Sequence, residues 1–221
     1  MMRKLLLVLS IFWCCNANAQ NNPIRFQHLT AKDGLSQGHI LCMIQDSEGY
    51  IWAGTYHGLN RYNGYSFDVF YADSDNPNSL FINVIFSLFE DRDGNIWCGT
   101  WGIDIYDKKT ETFRHLAVNE GKNTLSAGEV SAIAQDKEGN MWFATQGGGI
   151  NKLDFHTKEI AYYKADETID GTLKSNYIND ILIDRNQVLW AATEDGGLSR
   201  INLKDETIVT YQYSDNGPIH C

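Results

Sequence analysis

Apolar and polar positions alternate along this chain in short runs, and the runs recur in the same order four times. Each cycle begins with an apolar run that ends in aspartate, passes a turn, and reaches IWAGT, IWCGT, MWFAT or LWAAT. Alternation over a few residues, bounded by Gly, Asn and Asp, predicts short β-strands rather than helices. The repeated tryptophans are Trp52, Trp97, Trp142 and Trp190, spaced by 45, 45 and 48 residues. A period of this size predicts an array of like supersecondary units.

A tight turn follows the first strand of each cycle, and its residues have structural roles. The aspartates that end this strand are Asp46, Asp91, Asp136 and Asp184. Three cycles then place a glycine where a left-handed backbone conformation is wanted, at Gly49, Gly94 and Gly139. The fourth cycle has Gln187 at this position. We expect Asn186 to take the positive φ instead, so that the turn shifts by one residue.

The second strand is followed by a glycine-rich link, a third strand and a fourth, alternating strand. Four short strands joined by tight turns at this period are typical of one blade of a β-propeller. Sandwiches also contain many short strands, but they do not normally repeat one tryptophan-bearing phrase at a constant period. The sequence therefore predicts an all-β β-propeller with four complete four-stranded blades, at about residues 38–72, 82–117, 128–164 and 176–213.

A further strand is predicted before the first blade. Residues 24–30 contain FQHL, which matches FRHL in the fourth strand of the second blade. We interpret this segment as one extra N-terminal outer strand, which needs the inner strands of a further blade as its partner. Residues 20–221 are then the front part of a larger ring, of about seven blades. The alternative is that four blades close by themselves and residues 24–30 lie across their surface.

The first 19 residues have the layout of a secretory signal peptide. Two basic residues precede an apolar stretch and an Ala-Asn-Ala motif, and cleavage is predicted after Ala19. A lipoprotein signal using Cys14 or Cys15 is the alternative, although bulky residues precede both cysteines. No apolar run of transmembrane length follows Gln20. The sequence therefore predicts an exported, periplasmic chain.

Charge and cysteine content exclude several classes of partner. The net charge is −10 at pH 7 and becomes −12 when residues 1–19 are removed, so a nucleic-acid backbone would be repelled. Cys42, Cys98 and Cys221 fit neither a disulfide framework nor a zinc site. Asp91, Asp93 and Asn95 alternate like calcium ligands, but the later ligands of a calcium loop are missing. We expect no metal, no cofactor and no catalytic residue.

The link between the second and third strands carries the candidate ligand-binding residues. They are Tyr56, His57, Trp101, Gln146, Glu194 and Asp195. Links and inter-blade loops meet on the face of a propeller where ligands usually bind. Aromatic faces can stack on sugar rings, and amide or acid groups can pair with hydroxyls. Trp101 is the strongest candidate because an exposed loop tryptophan is costly without a partner. The alternative is that all six are ordinary loop residues.

The phrases FQHLTAKDGLSQ, DSEGYIWAGTYHGLNRYNGYSF and DNPNSL closely resemble the two-component regulator propeller repeats, and the resemblance covers residues 22–213. In that family they form the periplasmic sensor of hybrid two-component systems in gut Bacteroidetes. The resemblance implies a monosaccharide or oligosaccharide ligand from carbohydrate breakdown. It also implies further C-terminal blades and a histidine kinase in a full-length parent anchored in the inner membrane, and it allows a homodimer of that parent.

Two other functions stay open beside the sensor. This chain has no kinase motif, so we expect it not to be an enzyme by itself. A propeller carbohydrate-active enzyme would need paired carboxylates at a defined separation. Glu194 and Asp195 are adjacent in sequence, and neighbouring side chains on an extended backbone point apart. A scaffold for protein contacts is the third interpretation.

Overall fold

The computed structural model describes residues 26–116, 124–214 and 217–220, which form four antiparallel sheets. Each sheet is a meander in which consecutive strands pair, so each is one propeller blade. The strands are β1 (Ile40–Gln45), β2 (Ile51–Thr55), β3 (Gly58–Tyr62), β4 (Phe67–Phe70), β5 (Ser87–Glu90), β6 (Ile96–Gly99), β7 (Ile103–Asp107), β8 (Thr112–Leu116), β9 (Val130–Gln135), β10 (Met141–Thr145), β11 (Gly149–Leu153), β12 (Ile160–Tyr163), β13 (Ile178–Ile183), β14 (Val188–Thr193), β15 (Leu198–Asn202), β16 (Ile208–Ser214) and β17 (Gly217–His220).

The predicted fold class is confirmed. Blades 1 to 4 begin with the inner strands β1, β5, β9 and β13, and the inner strands of successive blades pack side by side. The described residues contain a single helix, the 3₁₀ turn Ala31–Asp33. None of their helices is long and apolar enough to cross a membrane.

One hydrogen bond, made in every blade, explains why aspartate and tryptophan recur together. The indole N–H of the repeat tryptophan donates to the aspartate that ends the inner strand, at 2.8, 2.7, 2.9 and 3.2 Å in blades 1 to 4. The other carboxylate oxygen accepts the backbone N–H four residues later, which closes the turn. A buried tryptophan needs a partner for its N–H. The aspartate supplies that partner and the turn together.

The core lies between the blades, because the tryptophans of blades 1 to 3 pack against the next blade. Trp52 lies 5.3 Å from Tyr106 of blade 2 and is fully buried, and Trp97 lies 5.8 Å from Phe143 of blade 3. At the two ends of the array this cover is missing. Met43 on β1 is 63% exposed and Leu182 on β13 is 64% exposed. Two open end faces are expected of an arc of a larger ring.

The predicted N-terminal outer strand is wrong for the residues that the structure describes. Residues 26–30 form no strand, and residues 24 and 25 lie outside the described residues. Thr30 instead makes a capping box with Asp33 at the start of the 3₁₀ turn. An outer strand needs the third strand of another blade, and the described residues offer no such partner. The one strand beyond four per blade is instead β17, at the C-terminal side, which pairs with β16 of blade 4.

The predicted shift of the fourth turn is also wrong. Gln187 itself has a φ of 61°, and its N–H donates to Asp184 at 3.0 Å as the turn glycines do in the other blades. Its side chain accepts the Lys137 N–H of blade 3 at 2.8 Å. In blades 2 and 3 the corresponding bond to the preceding blade is accepted by Glu90 and Gln135, which stand directly before the turn aspartate. Blade 4 has the apolar Ile183 at that position, so Gln187 accepts the bond instead. The contact offsets the cost of the left-handed conformation.

Cys98 is buried and Cys42 is half-buried, and both are free thiols. The predicted signal peptide, with Cys14, Cys15 and Ala19, lies outside the described residues, as does Cys221.

Candidate ligand-binding site

The face that carries the strand-two to strand-three links is held by hydrogen bonds between neighbouring blades. The Ile85 N–H donates to the Thr55 carbonyl at 3.1 Å, and the Val130 N–H donates to the Thr100 carbonyl at 3.1 Å. Each link is therefore tied to the loop that enters the next blade. We call this surface the link face and the surface with the Asp–Gly turns the turn face.

In blade 1 the link presents aromatic rings. Tyr56 is 46% exposed and lies edge-on to His39, with ring centroids 4.9 Å apart. His57 is exposed and lies 5.3 Å from the Tyr71 ring. These ring pairs reduce the rotamer freedom of Tyr56 and His57, so both are partly ordered before any ligand arrives.

In blade 2 the link is one residue shorter, and Trp101 stands at its tip. The Trp101 ring is 52% exposed and packs edge-on against Phe86 at 6.1 Å. A Cβ on Gly128 would lie 3.2 Å from Trp101 Cε3, so the glycine lets the next loop approach the indole. The short link also leaves the buried Thr100 hydroxyl without a partner among the described residues, whereas Thr55 donates to Gly58.

The remaining predicted residues are polar and differ in their freedom. The Gln146 amide donates to the Ile178 carbonyl at 3.0 Å and to Asn179 Oδ1 at 3.3 Å, so it mainly joins blades 3 and 4. Glu194 and Asp195 are exposed. The Glu194 N–H donates to the Tyr177 carbonyl at 3.0 Å. Of the six predicted residues, those on blades 1 and 2 are therefore aromatic and those on blades 3 and 4 are polar.

Sequence reasoning missed the residues that lie directly before the inner strands. His39, Phe86 and Tyr177 hold these positions in blades 1, 2 and 4, and Tyr177 is 51% exposed. Each lies beside a predicted link residue. The register of the first two strands identifies them. In each of these blades the residue directly before the inner strand lies beside the first residue of the link, as His39 lies beside Tyr56.

An Asp–His pair in blade 2 fastens a loop of the link face. His115 Nδ1 lies 2.6 Å from the buried Asp104 carboxylate, which also accepts the Phe81 N–H at 3.2 Å. Burial raises the pKa of Asp104, and the His115 contact opposes that rise. Blades 1 and 3 have Asn60 and Asn151 here, whose amide oxygens likewise accept a loop N–H. The pair therefore has the same loop-anchoring geometry as these asparagines.

The Asp91 carboxylate, at the start of the turn with calcium-like spacing, is already occupied. Asp91 accepts hydrogen bonds from the Trp97 indole and from the Asn95 side chain and backbone, which satisfies its oxygens without an ion. Among residues 26–116, 124–214 and 217–220, no group of three or more His, Cys, Asp or Glu side chains is placed to hold a metal ion.

Two clefts open on the turn face, and neither contains any of the six predicted residues. One, of about 260 Å³, lies between blades 2 and 3 and has an apolar floor. The other lies beside it and is lined by charged residues, among them Glu48, Lys108 and Lys109. The six predicted residues lie on the link face, at the opposite end of the strands from these two clefts.

Four segments of the chain match the family described as two component regulator propeller. They are residues 34–57, 79–102, 124–147 and 172–195. Each begins in the loop that leads into a blade and ends in the link of that blade, so the family pattern includes the inter-blade hydrogen bonds of the link face.

Solved structures with the same fold include extracellular domains of putative hybrid two component systems from B. thetaiotaomicron. One is 25% identical with a TM-score of 0.76, and a second is 23% identical with a TM-score of 0.71; in both, 86% of this chain covers 27% of the other. A streptogramin B lyase, 18% identical with a TM-score of 0.61, shares the fold over 83% of this chain and 57% of its own.

A curated relative is histidine kinase P4 of Formosa agariphila, which is 32% identical over 74 residues. The match spans 34% of this chain and 5% of the kinase. The chain therefore spans about a quarter of the solved extracellular domains and a small part of the curated kinase.

Proposed function

Because this chain belongs to the two component regulator propeller family, we propose that it is the extracytoplasmic ligand-sensing propeller of a hybrid two-component sensor kinase. Its ligand on this proposal is a soluble oligosaccharide or monosaccharide released by carbohydrate breakdown. The observation that carries the proposal is Trp101, a half-exposed indole at the tip of a link that hydrogen bonds hold rigidly.

The arrangement of the link face supports a saccharide ligand. Apolar faces of sugar rings stack on aromatic side chains, and Tyr56 and Trp101 offer such surfaces on neighbouring blades. Glu194 and Asp195 supply acceptors for hydroxyl groups on blade 4. A face that carries both aromatic and polar groups suits a ligand that has both kinds of surface.

The partners of the sensor on this proposal are the remaining blades of the ring and a kinase in the same parent protein. The open end faces, with Met43 on one and Leu182 on the other, support further blades because exposed apolar sheet faces favour packing. A homodimer of the parent would pass occupancy from the propeller to the kinase. The chain itself binds and does not react.

Export to the periplasm completes the proposal. N-terminal sequencing of the protein recovered from the periplasm is expected to begin at Gln20. A protein that starts at a lipidated Cys14 or Cys15 would place it on a membrane surface instead.

The binding test uses the chain purified after export and pools of oligosaccharides from partial hydrolysis of polysaccharides. Calorimetry is expected to show saturable binding with no loss of saccharide, and Trp101→Ala is expected to abolish it while Trp101→Phe retains part. Tyr65→Ala is the matched control, since Tyr65 is 96% exposed in a turn outside the link face. Consumption of a saccharide would show an enzyme. Equal binding by the Trp101→Ala chain would overturn this site.

A further inference from the structure

Each blade has a row of four cross-strand partners whose side chains face the next blade. The row runs from the inner to the outer strand, and its second member is the repeat tryptophan. The rows are Ile44, Trp52, Arg61 and Asp68 in blade 1; Phe89, Trp97, Ile105 and Arg114 in blade 2; Ala134, Trp142, Lys152 and Ala161 in blade 3; and Leu182, Trp190, Arg200 and Val209 in blade 4.

The third member of the row is a cation in blades 1, 3 and 4, and in blades 1 and 3 it lies over the tryptophan ring. Arg61 lies 5.7 Å from the Trp52 ring and donates to the Tyr106 hydroxyl of blade 2 at 3.5 Å. Lys152 lies 5.3 Å from the Trp142 ring. A ring from the outer strand also covers the indole, Phe70 at 5.9 Å in blade 1.

Blade 2 lacks both of these groups. Ile105 stands where the cation belongs, and Leu116 stands where blades 1, 3 and 4 have Phe70, Tyr163 and Tyr211. Ile105 and Trp97 both line a cleft of about 260 Å³ that stays open at the junction between blades 2 and 3, whereas Leu116 lies at the link end of the blade. We call this space the junction cleft.

The walls of the junction cleft are apolar and aromatic. Met141 and Leu153 of blade 3 face Ile105 and Trp97 across it. Phe155, at the start of the β11–β12 turn, is 46% exposed and forms one side of the mouth. A flat apolar group between Trp97 and Phe155 would lose water on both faces.

The rim carries two cations without a carboxylate partner. Arg114 is exposed and lines both clefts, and its side chain makes no hydrogen bond or ion pair within the described residues. Lys158 is exposed and lies 4.4 Å over the Phe155 ring. Three acids also line the cleft: Asp91, Asp93 and Asp154. Asp91 accepts hydrogen bonds from the Trp97 and Asn95 side chains. Asp154 accepts two backbone N–H groups of its own turn.

We propose that the junction cleft binds a small aromatic carboxylate. The ring enters between Trp97 and Phe155, and the carboxylate pairs with Arg114, whose guanidinium can bind it through two N–H groups. The volume lies just below the range of about 300 Å³ and more that holds drug-sized ligands, so one or two fused rings fit. This site lies on the turn face and does not depend on the proposed saccharide site.

The test titrates indole-3-acetate and phenylacetate into the purified chain by calorimetry, with tryptophol and 2-phenylethanol as uncharged analogues. A Kd of about 1 mM or lower is expected for a carboxylate with about ten non-hydrogen atoms. Arg114→Gln is expected to weaken binding by about tenfold, to the level of the alcohols. Lys109→Gln is the matched control, an exposed cation of the neighbouring cleft that should leave the Kd unchanged.

Ile105→Arg tests the location, because it installs the residue that blades 1 and 4 already have at this row position. The added side chain should fill the cleft and abolish binding while the chain stays folded by circular dichroism. Ile105→Phe gives a second way to fill the space, at the same lining position, if the first variant does not fold. No binding at 10-fold the expected Kd, equal binding of the alcohols, or full affinity in both filled variants would each overturn the proposal.

Discussion

The junction between blades 1 and 2 and the junction between blades 2 and 3 are built from the same repeat, yet one is filled and the other is open. Trp52 and Trp97 make the same hydrogen bond to an aspartate. Trp52 is fully buried under Arg61 and Phe70, whereas Trp97 is 8% exposed at the floor of a cleft. The repeated phrase therefore determines the blade, and residues outside it determine whether a junction closes.

Electrostatics separates the two junctions as well. The Lys108 ammonium lies 2.9 Å from Asp46 and 2.8 Å from Glu90, so it bridges the turns of blades 1 and 2. Blade 3 has Phe155 at the corresponding turn position and Gln135 in place of Glu90. The first junction is held partly by an ion-pair bridge. In the second, the Arg92 guanidinium donates to the backbone carbonyls of Asp136 and Lys137, both at 2.7 Å.

The largest expected effect comes from removing an indole. Trp52→Ala should lower the free energy of unfolding by about 3–5 kcal/mol, because a fully buried ring and its hydrogen bond are lost. Trp97→Ala should cost about 1 kcal/mol less, since Trp97 lacks the stacked ring and the cation that cover Trp52. Chemical denaturation of both variants measures the difference, with Tyr65→Ala as an exposed control. Equal costs would mean that the cleft does not weaken the second junction.

The next largest effect is expected from the bridging lysine. Lys108→Met leaves the Asp46 carboxylate, which is 0% exposed, and Glu90 without their shared cation, and it should cost about 3 kcal/mol. Phe155→Met is the matched change at the same turn position in blade 3. It should cost about 1 kcal/mol because Phe155 is half exposed. If Phe155→Met lowered the free energy of unfolding more than Lys108→Met, the lysine bridge would not be the stronger of the two contacts.

Acid should weaken the first junction before the second. Burial acts to raise the pKa values of Asp46 and Glu90, but hydrogen bonds from Trp52 to Asp46, from Ser47 to Glu90 and from Lys108 to both outweigh burial and hold them below their usual range. The stability they contribute is present above the unfolded pKa values of about 4 and is lost, by about 1 kcal/mol, as pH falls through the folded values.

Hydrogen exchange below pH 4 checks this order. The Ser47 N–H donates to Glu90 and should lose protection, whereas the Arg92 N–H donates to Gln135, which does not titrate. Simultaneous loss at both amides would show that acid unfolds the array as one unit.

The smallest effect should come from adding the missing outer-strand ring to blade 2. Leu116→Phe restores the ring that blades 1, 3 and 4 have over their tryptophans, and it should raise the free energy of unfolding by about 0.5–1 kcal/mol. Thermal denaturation of this variant beside wild type measures the gain. A loss of stability would mean that the core around Leu116 has no room for a ring.

The sequence was sufficient for the fold because a phrase repeated four times carries its own strand order and turns. It was insufficient where a residue depends on a distant partner. Gln187 keeps a strained turn through Lys137 of another blade, and residues 26–30 have no partner edge and are therefore not a strand. Phe86 and Tyr177 join the link face only through register across blades, and the cleft arises from the missing cation at Ile105.

The most direct test of the sensing account is hydrogen–deuterium exchange of the exported chain with and without a saturating oligosaccharide pool. The account predicts slower exchange in the links that contain Tyr56 and Trp101 and in the loop at Gly128, with no change in the Asp–Gly turns. Protection confined to the turn face, or no protection anywhere with consumption of the saccharide, would contradict it.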